Sequence, residues 1–515
     1  MKTNLRGKAR YLALALPFLI TVLFFLHRYY SYDPQASTHR VSPANHEPND
    51  FWVEFFSRLE AARPAAAPIE FEGKAPVENW EPDIDHARAN IINMTSEDEA
   101  ALRVSHRGFI TELPAFARHL PYDAETTGIV TTAGAPNFGQ VVTMVLMVRQ
   151  SGSELPIHVV LDSSTRLMDD LCMETLRSLN VTCIYLSDVW AGITPHPPKF
   201  SLYQWKILSI LASPFQNVLF LDADLLPVHN PDAIFEPGSE PFASTGLITW
   251  PDFWTPSASR LFYAIAGDVE VPPLTSRTSS ESGMMVIDKA RHPDTLLLAA
   301  YYNYYGADYY YALLSQHGPG EGDKETFLQA ALVLEALYKK RGSGYAPTHW
   351  MTNNSNGKRK KGYWDVKTLP KVHGRTSKGE WKGMFMQQMD PMEDYRVVMA
   401  ATKELNEADY YTDSSFLATV GNLTKGIEPD PTRYMFYHHN GVKLDFTKIL
   451  EPDNPIVALD EEGKFQRLWG EPDWIIKNTG RDVERQLWRE ATKVWCRTPL
   501  KKVCQKMKDI YVYLY

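Results

Sequence analysis

A short apolar run ending in two acids constrains this chain more than any other feature. In Asn217–Asp224 (NVLFLDAD) a strand-forming stretch leads straight into Asp222 and Asp224. Ahead of it, Ile129–Thr132, Ile157–Leu161 (IHVVL) and Val181–Leu186 (VTCIYL) read as strands. Between them Gly139–Gln150, Met168–Leu179 and Leu202–Leu211 read as helices. This alternation predicts an α/β body whose parallel sheet is covered by helices on both faces. Ligands on such sheets sit beyond the carboxyl ends of the strands, where the two acids fall. Further along, Met284–Asp288 reads as a strand, Asp294–Tyr302 and Lys324–Tyr338 as helices, and Trp488–Cys504 as a closing helix and tail.

Two carboxylates at i and i+2 after a buried strand are costly unless a cation or another partner stands beside them. Oxygen donors of this kind suit Mg²⁺ or Mn²⁺, which can bind a diphosphate and stabilise it as a leaving group. A merely solvated turn fits poorly with such apolar flanks. Phosphohydrolases of the haloacid dehalogenase type also end a strand in D-x-D, but with Thr or Val two places on and on the first strand. Here that place is Leu226, and earlier strands precede it. GIVTTAGAPNFGQ carries neither G-x-G-x-x-G nor a P-loop, which excludes the usual dinucleotide and nucleoside-triphosphate cradles.

The chain has 515 residues, is 44% apolar and 12% aromatic, and carries a net charge of −9. It can bury a large core, and its acidity argues against a nucleic-acid partner. Tyr11–Leu26 is uncharged and follows Lys2, Arg6, Lys8 and Arg10, without small residues at A-x-A spacing after it. This reads as a signal anchor with its N-terminus in the cytosol and the body in a lumen. The sequons at Asn93, Asn180, Asn353 and Asn422 fit that compartment. Cys172 with Cys183, and Cys496 with Cys504, are the cysteine pairs close in sequence; bridged and free forms both remain open. Lys358–Lys361 (KRKK) reads as a solvated face.

The string Lys206–Asp224 (KILSILASPFQNVLFLDAD) resembles the fungal Golgi α-mannosyltransferases that branch and cap mannan. So do ITWPDFW at Ile248–Trp254, ESGMMVIDK at Glu281–Lys289 and GPGEGDKETF at Gly318–Phe327. That last segment and MQQMDPMEDY (Met386–Tyr395) are closer to the α-1,2-transferring branch than to the α-1,3 branch. The resemblance implies a GT-A fold behind a signal anchor and stem. The expected map is a cytosolic tail at 1–10, an anchor at 11–30 and a lumenal stem at 31–125 with a helical piece at Asp50–Leu59. A catalytic domain would follow at 126–450, with an insertion near 342–383, and a helical extension at 451–515. The implied activity is retaining transfer of mannose from GDP-mannose to an α-mannoside of a glycoprotein glycan, with Mn²⁺. The expected location is the Golgi membrane, single-pass type II, within a possible enzyme complex. Transfer in α-1,3 linkage and a catalytically silent subunit of a mannan-synthesising complex are the alternatives; the intact acid pair speaks against silence.

The same resemblance assigns roles. Asp224 would bind the metal, and Asp222 the ribose, the metal or both. H-x-N-x-x-K maps onto His438, Asn440 and Lys443, with His438 a metal ligand and Lys443 neutralising the departing diphosphate. In an extended segment His438 and His439 face opposite ways, so only one reaches the ion. Asp323 is placed beside the transferred sugar, although Asp after a Gly-rich turn is also a favoured helix cap. Glu281, just before a strand, is the carboxylate a β-face mechanism would need; a front-face route with the leaving phosphate as base is the other option. Thr131, Trp250, Asp252 and Lys206 are assigned to the donor, with core packing the alternative for Trp250 and an exposed lysine for Lys206. The Tyr301–Tyr311 run could stack on sugar rings, but its helical spacing favours packing.

Overall fold

The computed structural model describes residues 48–515 except 82–83, 85, 164, 191–199, 201–202, 342–361, 376–380, 402–429, 442, 452–455, 457 and 461. The expected anchor, the KRKK run, Asn353 and Asn422 lie outside the described residues.

In chain order the elements that matter are α1 (Pro48–Ala61), α2 (Ser96–Ala117), β1 (Asp123–Ala133), α3 (Phe138–Gln150), β2 (Ile157–Leu161), β3 (Val181–Tyr185), α4 (Gln204–Ala212) and β4 (Phe215–Leu221). Then come β5 (Leu225–Pro227), β6 (Leu247–Pro251), β7 (Ser280–Asp288), α5 (Pro293–Tyr304) and α6 (Thr326–Arg341). The chain closes with β8 (Trp364–Asp365), β9 (Lys371–Arg375), β10 (Trp381–Met389), β11 (Tyr434–His438), α7 (Val483–Trp495) and α8 (Lys501–Leu514).

The main sheet has the order β8-β6-β7-β4-β1-β2-β3. β1 pairs in parallel with β2 and β4, through Ile129↔Ile157 and Ile129↔Leu219. The sheet is nonetheless mixed, not parallel as the alternation predicts. β7 enters between β4 and β6 and is antiparallel to both, through Leu221↔Met284 and Leu247↔Ile287. A strand buried on both faces reads as a continuous apolar run whichever way it points, so pattern alone does not carry direction.

A second sheet, β9-β10-β11-β5, stands beyond the end of β4. It takes up part of the segment expected to be an insertion: β8 is the edge strand of the main sheet, and β9 belongs to the second. Residues 342–361 of that insertion are not among the described residues.

The expected stem is also corrected from residue 48 onward. Phe51, Trp52, Phe55 and Leu59 of α1 and Phe109, Ile110, Leu113 and Phe116 of α2 are buried in one cluster with the underside of the main sheet. The tyrosine run is their partner. Phe109 stacks on Tyr301 at 4.5 Å, and the hydroxyls of Tyr305 and Tyr309 donate to Leu59 O and Ala66 O at 2.6 and 2.7 Å. Pro- and Ala-rich composition suggested a linker, yet the apolar spacing inside α1 is that of a packed helix. At the other end, Leu487, Trp488 and Trp495 of α7 join the core that covers α3. Both cysteine pairs close in sequence are bridged, Cys172–Cys183 and Cys496–Cys504.

Candidate active site

The acid pair sits in a tight corner built by three strands. Asp222 N–H donates to Gly283 O of β7 at 2.7 Å, and Leu225 N–H closes the turn onto Asp222 O at 3.0 Å. β5 then leaves to pair with β11, where His439 N–H donates to Asp224 O at 2.9 Å. Backbone bonds on both sides thus fix where the two carboxylates point.

β11 brings His438 opposite Leu225 in the register. Its Nε2 lies 3.8 Å from Asp224 Oδ1, and its Nδ1 lies 3.6 Å from Glu281 Oε2. The next residue points the other way: His439 is fully buried, accepts from Trp469 Nε1 at 2.9 Å and stacks on Phe385. Gly283 makes room for the first ring, because a Cβ there would lie 3.1 Å from His438 Cε1 and 3.3 Å from Leu225 Cδ1. Burial lowers the pKa of His438 although Asp224 and Asp222 pull it up, and in its neutral form the ring has a lone pair to offer. Lys443 donates to Asp224 Oδ2. Burial raises the Asp224 carboxyl, but His438 and Lys443 outweigh it and hold the group below the usual range.

On the other side stands Lys206. Its buried Nζ reaches Asp222 Oδ2 at 3.1 Å, Asp323 Oδ2 at 3.0 Å, Ser282 O at 2.8 Å and Ser282 Oγ at 2.9 Å. Burial works against its charge, and the two aspartates overcome that and raise its pKa. This lysine binds carboxylates in the structure rather than standing open for nucleotide phosphates. Asp222 has its pKa raised to about 6, by burial first, with Lys206 opposing and Asp224 and Asp323 adding to it. Asp323 does not cap a helix through its side chain. α6 starts later, at Thr326, whose N–H and Oγ1 donate to Asp323 O, while the carboxylate turns to Lys206 and to Ser282 Oγ at 3.2 Å.

Glu281 lies within β7 rather than before it. Burial and the nearby Asp252 carboxyl push its pKa up to about 8, against Lys324 and Lys206. Lys324 pairs with Asp252 at 2.6 Å, and Glu325 receives Ser280 N–H at 2.7 Å and Arg277 at 2.6 Å. These contacts fasten the Gly-rich loop that carries Asp323 to the start of β7. Lys324 and Glu325 were not singled out from the sequence, though their place just after Asp323 in GPGEGDKETF was the available signal. Two more residues were assigned to the donor. Trp250 is fully buried, donates its indole N–H to Met389 O at 2.8 Å and packs edge-on against Phe436, so it is core. Thr131 is buried within β1 with no hydrogen-bond partner for its hydroxyl among the described residues.

Among the described residues no three His, Cys, Asp or Glu are gathered into a ready-made metal cluster. The donor chemistry still fits one hard cation. A carboxylate oxygen and a neutral imidazole nitrogen 3.8 Å apart can share an ion at bond lengths of about 2.1 Å, and an ammonium already stands on that carboxylate.

A mixed sheet with a D-x-D corner facing a histidine strand is the arrangement that the expected GT-A fold calls for. Residues 126–278 and 274–390 match the mannosyltransferase family Mannosyl_trans3, and the chain belongs to that family. It is 31% identical over 457 residues to the alpha-1,2-mannosyltransferase MNN21 of Candida albicans, covering 79% of this chain and 63% of that one. It is 30% identical over 432 residues to the alpha-1,2-mannosyltransferase MNN5 of Saccharomyces cerevisiae, covering 73% and 67%. The chain thus spans less than two thirds of the first relative's length. Mouse xyloside xylosyltransferase 1 superposes with a TM-score of 0.27 at 13% identity, over 42% of this chain and 83% of that one, too partial a likeness to bear on function.

Proposed function

We propose that this chain is a retaining α-1,2-mannosyltransferase that moves mannose from GDP-mannose to an α-mannoside on a glycoprotein glycan. It would do so from the lumenal face of the Golgi membrane, held by its N-terminal segment. The observation that carries the reading is the Asp222–Asp224 corner with His438 and Lys443 set across it. The linkage follows the printed names of the relatives, each an alpha-1,2-mannosyltransferase. No residue contact favours the α-1,3 or the silent-subunit alternative.

Asp224 and His438 would hold a divalent ion, Mn²⁺ in this reading, with Asp222 beside them; when bound, the ion supplies charge that stabilises the diphosphate. Lys443, freed from Asp224, neutralises that leaving group from the solvent side. Lys206 holds Asp222 and Asp323 in place, and Asp323 accepts hydrogen bonds from sugar hydroxyls. Glu281, its carboxyl pushed up to about 8 by burial and by Asp252, is better suited to donate a hydrogen bond there than to act as a nucleophile. Retention then follows the front-face path. The glycosidic C–O bond to phosphate breaks, the acceptor hydroxyl adds on the same face, and its proton goes to the departing phosphate oxygen.

The test is full-length protein with GDP-mannose, Mn²⁺ and α-mannobiose, reading the product's linkage. Asp224→Asn should fold normally and lose at least about a hundredfold in transfer, close to 3 kcal/mol. Undiminished transfer by that variant, or by chelator-treated enzyme, would refute the metal-assisted reading.

A further inference from the structure

The tyrosine run is spent on packing: Tyr301, Tyr302 and Tyr310 are fully buried. A different aromatic stands at the site. Tyr203 immediately precedes α4, three residues before Lys206, and is 47% exposed. Its ring lies across Gly322, the neighbour of Asp323. A Cβ at 322 would meet three atoms of that ring, Cδ1, Cδ2 and Cε2, all at 3.0 Å. Equal distances to atoms on both sides of the ring mean that one face rests on the glycine. Gly322 also has φ +132°, which a side chain would not tolerate. Tyr311 packs against Tyr203 edge-on at 5.9 Å and is anchored by its own hydroxyl to Asn303 Oδ1 at 2.9 Å. The ring is therefore held from below and from one side, in a residue that is half-exposed.

Its position along the row of charges is informative. Lys443 and His438 stand on Asp224, Lys206 joins Asp222 to Asp323, and Gly322 with Tyr203 follows Asp323. A diphosphate drawn to the Lys443 end leaves Tyr203 at the far end, past the transferred sugar. We infer that Tyr203 is the stacking platform for the acceptor, carrying the apolar C–H face of a mannopyranoside ring and so aligning its hydroxyl with the donor. This assignment rests on the mannosyl-transfer reading above. Aromatic faces bind pyranose rings because the ring's C–H face is apolar and slightly positive whereas the π face is negative. A preformed platform also spares the acceptor the loss of freedom that ordering a loose side chain would add.

The measurement is a pair of kinetic titrations on the full-length protein, with α-mannobiose varied at saturating GDP-mannose and the reverse. Tyr203→Ala should raise the acceptor KM about tenfold or more, while the KM for GDP-mannose moves less than about twofold. Tyr203→Leu keeps apolar bulk on Gly322 and Tyr311 without a π face, and should behave like the alanine variant. Tyr203→Phe and Tyr203→Trp keep a ring and should restore the acceptor KM to within about threefold of wild type. A rise in the GDP-mannose KM instead would overturn the assignment, because the ring would then serve the donor. An acceptor KM unchanged in Tyr203→Ala, or a leucine variant equal to wild type, would overturn it while leaving mannosyl transfer intact. Wild-type protein that transfers no mannose to any α-mannoside would overturn the transfer reading and this one with it.

Discussion

Lys443 and a divalent ion would compete for the Asp224 carboxylate, the ammonium at Oδ2 and the ion at the Oδ1 that faces His438. The lysine side chain is 47% exposed, so it can leave Asp224 without unpacking anything. Replacing it by Met should tighten Mn²⁺ binding several-fold in the absence of donor, measured by the free Mn²⁺ spin-resonance signal. The same variant should turn over more slowly, because the diphosphate loses its cation. Mn²⁺ affinity unchanged in Lys443→Met would mean that the ammonium does not compete with the ion. The two histidines separate in another way. His438→Ala should weaken Mn²⁺ binding with little change in stability. His439→Ala should leave the Trp469 indole N–H unpaired beside a cavity, costing about 2–4 kcal/mol in denaturant titration. Loss of Mn²⁺ affinity on changing His439 instead would place the wrong ring at the ion. Strand alternation made the opposite facing of the two rings legible in the sequence, since it depends only on local geometry. The ion pair of Lys443 with Asp224 was not legible, because it joins residues far apart in the chain whose meeting depends on the second sheet.

Single elements position those residues, and α3 is the clearest case. Its first two turns pack on the segment after His438: Thr143 Oγ1 donates to Leu444 O at 2.9 Å, and a Cβ on Gly139 would run into the Asp445 carboxylate. Asp445 in turn receives Thr447 N–H at 3.0 Å, which shapes the loop after Lys443. Gly139→Ala would favour an isolated helix by about 1 kcal/mol, yet here it must push that loop away. We expect kcat to fall about tenfold while the helix content of the circular dichroism spectrum is preserved; unaltered kcat would show that the loop adapts. The helix α3 and strands β1, β2 and β4 were legible, because each has a long periodic or apolar pattern of its own. β5 was not, since three residues make no pattern, and its strand identity comes wholly from pairing with β11. Trp250 was misplaced for a related reason: ITWPDFW lies near the site, but alternation along β6 turns Trp250 into the core beside Phe436.

For the molecule as a whole, the described residues from 48 to 515 belong to one compact unit, with α1 and α2 inside its core. A chain cut to begin at residue 126 would expose the α5 tyrosines and should be recovered as aggregate, whereas one beginning at residue 43 should stay soluble; soluble, active protein from the shorter chain would restore the stem reading. Stability should also depend on pH through a lysine at the end of the sheet away from Asp222. Lys289 follows β7, its N–H bonded to Gln216 O at 2.8 Å, and its fully buried ammonium donates to Leu211 O at 3.3 Å and to Ser213 O. Burial pulls its pKa down to about 7, with Asp123 only partly opposing. In the unfolded chain a lysine titrates near 10.4. Between these values the unfolded chain holds a proton that the folded one has released, so stability rises with pH across the window. Below pH 7 both states are protonated and the penalty for burying the charge is felt in full, on the order of 4 kcal/mol at its limit. The buried tyrosines have their pKa values raised above the ordinary value near 10, so they do not enter between pH 7 and 9. Below pH 8 the raised Glu281 carboxyl gives a slope of the opposite sign, so the climb in urea midpoints should show between pH 8 and pH 9, and Lys289→Met should flatten it while being the more stable protein at the acid end. Equal slopes in the two proteins would mean that Lys289 stays charged in the fold, with its burial relieved by the carbonyls and Asp123.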